Sequence, residues 1–360
     1  MSKRPLIVFL TPQAANTRDY YQSRDEGPTA RHWFEEVFDE AGLDHEIIAP
    51  GGWPWNPLAG RHGAFQGLDP LRGLKVLLSR RRAAVVVAYT ESPALIALQL
   101  RRAFCFPVPI ILCEVSWSPG WAYREWLARR TIPHADRVIV YSSNQIDLLQ
   151  QTYTGMKRPE FFPISLDVEF FTPQPRQPGP PSVLTVGLDQ GRDFDILLEA
   201  TRGMDVHVRI KGGRKPVIFD RAAHPNVSLI ETHLAPPAFR ALYADATIVA
   251  VTTFSTPNAC GVTSLLEAMA MAKPIIVSAN PALRDYIPPD DACIVVPIGD
   301  RAALGAAIAA LLANPSEAAA MGERARRHLL ATNHPRLWYE RLAALSWELA
   351  IAAGTAARPA

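Results

Sequence analysis

The sequence predicts two doubly wound α/β domains, each a parallel sheet with helices on both faces. Three observations predict it. Short apolar runs alternate with longer amphipathic ones from Leu6–Leu10 through Thr29–Ala41, His45–Ala49, Ala83–Tyr89, Pro93–Phe104, Pro109–Val115 and Tyr123–Ile132 to Arg137–Ser142. Strand and helix periods taken in turn are the mark of β-α-β units. Residues 172–181 then read TPQPRQPGPP, with five prolines in ten positions, a stretch that can neither continue a helix nor lie in a central strand. The alternation restarts with Ser182–Val186, Phe194–Thr201, His207–Lys211, Ser228–Ile230, Pro236–Tyr243, Ile248–Val251, Ser264–Met271, Pro274–Val277 and Cys293–Val296. The expected organisation is therefore a first domain over 1–171, a linker over 172–181 and a second domain over 182–334.

The remainder is helical, with expected helices at Arg301–Leu312, Ser316–Leu330 and Pro335–Ala352. Pro335 suits the first turn of a helix, which makes 335–352 a separate element. Residues 353–360 read as a frayed end.

Composition narrows the function classes. The 360 residues are 48% hydrophobic and 20% charged, enough apolar material for two cores. A net charge of +2 provides no global field for a nucleic-acid backbone, so no nucleic-acid partner is expected. Cys105, Cys113, Cys260 and Cys293 form no CxxC pair, which argues against a zinc ribbon or a disulfide scaffold, and no metal site is expected. The opening MSKRPLIVFLTP lacks a small-residue cleavage site, and no window reaches the roughly 18 apolar residues of a membrane span. A cytoplasmic protein, or one peripheral on the inner face of a membrane, is the expectation.

In open α/β sheets, ligands bind beyond the carboxyl ends of the strands, where helix N-termini present amide hydrogens to anions. Three strand ends of the second domain qualify. At the first, Gly187 and Gly191 permit a tight turn, and Arg192 is either a phosphate ligand or a surface arginine. At the second, Lys211, Gly212 and Gly213 form a paired-glycine turn flanked by basic side chains, either a ligand-facing loop or an ordinary turn. The third runs from Thr256 to Pro274. A polar loop ends at Gly261, Thr263 caps the next helix, and Glu267 lies one turn inside it. Glu267 is either a solvated helix residue or a buried carboxylate, and if buried it needs a partner, which ribose hydroxyls would supply.

The stretch GVTSLLEAMAMAKPIIVSANPALRDYI resembles the sugar-nucleotide signature of the retaining glycosyltransferases of family 4, a Gly-containing loop followed by L-L-E-A-M-A and G-K-P. The likeness extends to His134–Gln150, Phe162–Phe171, Asn226-Val227, Phe239–Ala244 and Asp300–Gly322. It implies the GT-B arrangement of two Rossmann-like domains facing a cleft, with the terminal helix 335–352 crossing back to the first domain. It also implies transfer of a hexose from a UDP- or GDP-linked sugar, as co-substrate rather than cofactor, to a saccharide or lipid-linked acceptor. By this resemblance Glu267 holds the ribose and Arg192 the diphosphate, with Gly187 in the same turn. Asn258, Gly261, Val262 and Thr263 cradle the sugar and phosphates, and Lys211 and Gly212 lie near base and ribose. The implied chemistry is front-side displacement, with closure about the 172–181 linker excluding water.

Several positions depart from the family. The first glutamate of the usual E-x7-E pair is missing, with Asn258 and Ala259 in its neighbourhood. Leu188 replaces an arginine, no glycine occurs in Thr11–Asn16, and no histidine follows Ala88. Glu91 and Glu114, at strand ends of the first domain, either orient or deprotonate the acceptor or make structural caps and ion pairs. The departures motivate an alternative, a catalytically silent glycosyltransferase-like binding or partner subunit. An epimerase or phosphorylase fits less well without a lysine-anchored pyridoxal motif, and a dehydrogenase would need a GxGxxG after a first strand.

Residues 71–82, LRGLKVLLSRRR, are either a basic amphipathic helix lying on an anionic membrane or an ordinary helix with solvated arginines. Trp53, Trp55, Phe65, Trp117, Trp121 and Trp126 would accompany a membrane contact or line an acceptor cleft. Oligomeric state is not encoded legibly.

Overall fold

The computed structural model describes residues 4–10, 33–48, 70–113, 122–187, 191–212, 217, 219–220, 222–289 and 291–356. The chain divides into two compact units. One takes the described residues up to Phe162 together with those from Arg336 onward, and the other takes Pro163–Pro335.

The first unit is built on a six-stranded parallel sheet ordered β2-β1-β3-β4-β5-β6. Its strands are β1 Leu6–Leu10, β2 Asp44–Ile48, β3 Ala83–Ala88, β4 Ile110–Cys113, β5 Arg137–Val140 and β6 Glu160–Phe161. Strand β3, AAVVVA, is buried at every position, the continuous apolar pattern of a strand covered on both faces. Helices α2 Pro70–Ser79, α3 Glu91–Phe104, α4 Ala122–Thr131 and α5 Gln145–Thr152 cover one face, placing Val76, Leu95, Leu127 and Leu149 against Val8, Leu10 and Val86. The alternate residues of the same strands, Ile7, Phe9, Val85 and Val87, meet helix α1 Trp33–Glu40 on the other face.

The second unit has its own six-stranded parallel sheet, ordered β12-β11-β10-β7-β8-β9. The strands are β7 Ser182–Val186, β8 His207–Lys211, β9 Val227–Leu229, β10 Ile248–Val251, β11 Ile275–Ser278 and β12 Ile294–Val296. Helices α6 Phe194–Ala200 and α9 Arg301–Ala313 pack Leu197, Leu198, Leu304 and Ile308 on Val183, Val208 and Ile248. Helix α7 Pro236–Asp245 precedes β10, and α8 Val262–Ala270 follows it. The crossover through α8 runs the other way along the sheet, from β10 to β11, and so covers the opposite face. Helix α10 Pro315–Thr332 lies beside α8.

The last helix, α11 Pro335–Ala352, returns to the first unit as expected. Trp338, Leu342, Leu345 and Leu349 join α1 over Phe9, Val85 and Ile111, and Trp347 donates to the Ala41 carbonyl at 2.8 Å.

The first boundary between the units differs from expectation. The chain passes between units at Phe162–Pro163 and Pro335–Arg336, not at the proline-rich stretch. Pro163–Phe171 belongs with the second unit because Ile164 donates to the Tyr286 hydroxyl at 2.9 Å and Asn333 holds the Ile164 carbonyl at 2.8 Å. Residues 172–181 are themselves pinned there: Arg176 donates to the Asp245 and Pro180 carbonyls. The chain therefore changes unit ahead of 172–181, at Phe162–Pro163, and again at Pro335–Arg336. Residues 353–356, expected to fray, are held instead by the Thr355 hydroxyl on the Ala84 carbonyl at 2.9 Å. Residues 357–360 lie outside the described set. Among the described residues no single helix is long and apolar enough to cross a membrane.

Candidate functional site

The second sheet reverses direction between β7 and β10, since β8 and β9 extend one way from β7 while β11 and β12 extend the other. Such a switch point opens a crevice beyond the strand ends. The backbone closes its floor with an isolated antiparallel bridge between Arg192 and Thr253. Asp193 donates to the Thr252 carbonyl at 3.0 Å, and its carboxylate caps α6 through the Ile196 amide.

From that bridge the Arg192 side chain runs under two glycines. A Cβ at Gly187 would lie 2.4 Å from Arg192 Cγ, and one at Gly261 would lie 2.5 Å from Nη1. Gly261 also has φ +86, the left-handed conformation that glycine adopts without cost, and it is the N-cap of α8. The guanidinium donates to the Val186 carbonyl. Arg192 is 5% exposed, and the charge sits behind the glycines.

Glu267 is in the second turn of α8 and is buried. The Tyr243 hydroxyl, from α7, donates to its Oε2 at 2.5 Å. Burial pushes the Glu267 carboxyl up to about 7, against the opposing pull of the Tyr243 hydrogen bond and the Arg192 charge. Ser264, one turn earlier, donates to the Val186 carbonyl at 2.9 Å and so ties α8 to the end of β7. At the end of β8, Lys211 Nζ donates to the Gly212 carbonyl at 2.9 Å, and burial lowers its pKa.

Beside these groups lies a cavity of about 550 Å³. Gly187, Lys211, Gly261, Thr263, Ser264 and Glu267 form its polar side. Phe170, Phe171, His233, Leu234, Pro236 and Phe239 form the other wall. The first-turn amides of α8 lack helical acceptors by position, as at any helix start. The cavity thus joins anion donors, a buried acceptor carboxylate and an apolar wall.

Residues 181–314 match the family model described as glycosyl transferases group 1. The matched residues all lie within the second unit. No curated protein matches the sequence. Among solved structures, sucrose-phosphate synthase from Thermosynechococcus elongatus is similar with a TM-score of 0.73 and 19% identity, over 97% of this chain and 100% of that one. HepE from Anabaena in complex with UDP and glucose matches with a TM-score of 0.64 and 14% identity, over 96% and 100%. A glycosyltransferase from Rickettsia africae gives 0.63 and 13%, over 96% and 98%. The fold is GT-B, two Rossmann-like domains.

Within the second unit, the structure brings Gly187, Lys211, Gly261, Thr263 and Glu267 around one cavity. It places Arg192 behind that wall and not on its surface. Val262 is fully buried at the start of α8, and Gly212 faces Val217 and Leu229. Asn258 receives the Thr256 hydroxyl as acceptor for its amide at 3.2 Å and does not line the cavity. In the first unit, Glu91 opens α3 and pairs with Arg124 of α4 at 3.3 Å, and burial raises its pKa while Arg124 lowers it. Glu114, Leu188, Gly213, Thr11–Asn16, Trp53, Trp55, Phe65, Trp117 and Trp121 lie outside the described residues. Among the described residues no group of three or more His, Cys, Asp or Glu is placed to hold a metal.

Sequence reasoning passed over Tyr243, Ser264, Phe170, Phe171 and His233. His233 lines the cavity beside Leu234 and Pro236. The one available signal was the burial of Glu267 in an apolar helix, which demands a donor without saying where it lies.

Proposed function

We propose that the protein is a retaining glycosyltransferase that takes a hexose from a UDP- or GDP-linked sugar and adds it to a polysaccharide, glycolipid or other glycoconjugate. The observation that carries this reading is the pairing, in one cavity, of the α8 N-terminus with the Tyr243-held Glu267 carboxylate. A nucleoside diphosphate has the matching parts: phosphate oxygens for the helix amides and ribose hydroxyls for the carboxylate. HepE, of the same fold, binds UDP and glucose, which favours a uridine donor.

In the proposed reaction the bond between the sugar anomeric carbon and the diphosphate breaks. The acceptor hydroxyl forms a new bond to that carbon on the same face, and its proton passes to the departing phosphate. Negative charge grows on the diphosphate, where the helix amides and the Arg192 charge beneath Gly187 and Gly261 stabilise it. No protein nucleophile and no cofactor enters. The acceptor is a saccharide or a lipid-linked saccharide, and the protein works in the cytoplasm or on the inner face of a membrane.

Calorimetric titration with UDP, GDP, ADP and their sugar conjugates tests the reading, with Glu267→Ala and Arg192→Ala beside the wild type. Selective binding of one nucleotide, weakened in both variants at unchanged secondary structure, is expected. Absence of binding to any of them by the folded protein would favour the silent partner subunit, as would binding without donor hydrolysis or transfer.

A further inference from the structure

The first unit carries a basic edge along its sheet. All strands of that sheet are parallel, so α2, α3 and α4 end at one edge, where β3, β4 and β5 begin. Each of these helices ends in arginines: Arg80, Arg81 and Arg82 after α2, Arg101 and Arg102 in α3, and Arg129 and Arg130 in α4. The three helices touch in sequence. A Cβ at Gly73 of α2 would lie 2.4 Å from Ile96 of α3, Gln99 of α3 donates to the Thr131 hydroxyl at 2.6 Å, and Arg102 donates to the Arg130 carbonyl at 3.2 Å.

Carboxylates neutralise only part of this edge. Glu46 takes Arg82, Asp136 takes Arg101, and Glu125 takes Arg129. Among the described residues no carboxylate pairs with Lys75, Arg80, Arg81, Arg102 or Arg130. Arg80 rests on the Leu77 carbonyl at 2.7 Å, which positions the guanidinium and leaves its net charge intact. Large apolar side chains stand among these cations. Leu78 is 66% exposed, Phe104 60% and Trp126 53%, with the Arg130 guanidinium 4.3 Å above the Trp126 ring.

We propose that this helix-end face, Leu78, Phe104 and Trp126 set among Lys75, Arg80, Arg81, Arg102 and Arg130, docks on an anionic lipid bilayer. Uncompensated cations attract acidic headgroups, and exposed aliphatic and aromatic side chains enter the headgroup boundary, where they leave water. A second copy of the same face would bring cations against cations, and a nucleic acid would leave the aliphatic Leu74 and Leu78 in water. The face differs from the one expected over residues 71–82. Arg72 and Leu77 are buried and Arg82 is paired, so among the described side chains of that stretch Leu74, Lys75, Leu78, Arg80 and Arg81 contribute, and α3 and α4 supply the rest.

Vesicle sedimentation with the full chain tests this, using phosphatidylcholine alone and phosphatidylcholine mixed with phosphatidylglycerol. The wild type is expected to bind the anionic vesicles at low salt and to release as salt rises. Leu78→Glu with Phe104→Glu, and separately Arg81→Glu with Arg102→Glu, should each weaken partition by at least roughly tenfold, since each surface cation contributes on the order of fivefold. Nucleotide affinity and melting temperature should stay at wild-type values, and Arg81→Gln with Arg102→Gln should give a smaller loss. The proposal fails if the wild type ignores anionic vesicles, binds neutral ones equally well, or binds undiminished in both double variants. It also fails if the face retains polyuridylate while vesicles do not bind.

Discussion

Tyr243 and Glu267 show how burial, opposed by one hydrogen bond and a nearby charge, sets the state of the candidate site. A carboxylate this deeply buried favours its neutral form, and the hydroxyl at 2.5 Å together with the Arg192 charge pulls it back to about 7. The folded value lies above that of an exposed glutamate. Its contribution therefore favours the fold below the ordinary carboxylate range and is lost as pH rises through about 7. Glu267→Gln should flatten that part of the melting temperature profile between pH 5 and 8. Nucleotide binding runs the other way, because ribose hydroxyls donate most strongly to an ionised acceptor. Affinity should rise with pH through about 7, and in Tyr243→Phe the rise should move to higher pH, because the bond that favours the carboxylate is gone. Calorimetry of the tightest nucleotide across pH 6–9 checks it; a profile with the same midpoint in both proteins would deny Tyr243 this role. Glu267 was legible in the sequence as an acid inside LLEAMA. Its donor was not, since Tyr243 lies 24 residues away on another helix and no spacing rule links the two.

At the scale of the element, α8 is the part most exactly prepared by its ends. It starts at Gly261 in the left-handed conformation and finishes at Ala272, also left-handed at φ 51. The amide of Lys273 reaches back to the Ala268 carbonyl at 3.0 Å, the closing bond of a helix C-terminus that ordinarily carries glycine at the turn. Alanine there costs about 1 kcal/mol, because Cβ crowds the following carbonyl. Ala272→Gly should therefore raise the melting temperature by a few degrees, with nucleotide affinity unchanged; an unaltered or lower melting temperature would show that the strain is absorbed elsewhere. Lys273 then donates to the Ala244 and Ala246 carbonyls at 2.5 and 3.2 Å, tying the end of α7 to the end of α8. Burial takes its pKa down to about 8. The strand and helix pattern was legible in these elements because burial follows the periods of 2 and 3.6. The course of Arg192 was not, because it depends on glycines at 187 and 261 that come together only after β7 and β10 pair.

For the whole molecule, the chain makes two units and lends its last helix to the first of them. The text of the sequence draws attention to the prolines of 172–181, but the junctions at 162–163 and 335–336 are set by packing. Phe170 and Phe171 fold onto Arg240, Phe239 and Tyr243 of the second unit, contacts that local composition does not encode. Across the first unit, Tyr89 stacks between Phe9 and Trp338, with centroids 5.9 Å away on each side, so α11 continues an aromatic column that begins on β1. Trp338 is 7% exposed, and its removal leaves a cavity over β1 and β3. Trp338→Ala should cost about 3–5 kcal/mol, and the loss should fall on the first unit alone. Each unit has its own sheet and core, so chemical denaturation should resolve a transition shifted to lower denaturant from one that stays in place. The cavity proposed for the nucleotide lies within Pro163–Pro335, so binding there should survive until the second transition. If both transitions shift together, or nucleotide affinity falls with the first, the two cores are one cooperative system and α11 stabilises the molecule as a whole.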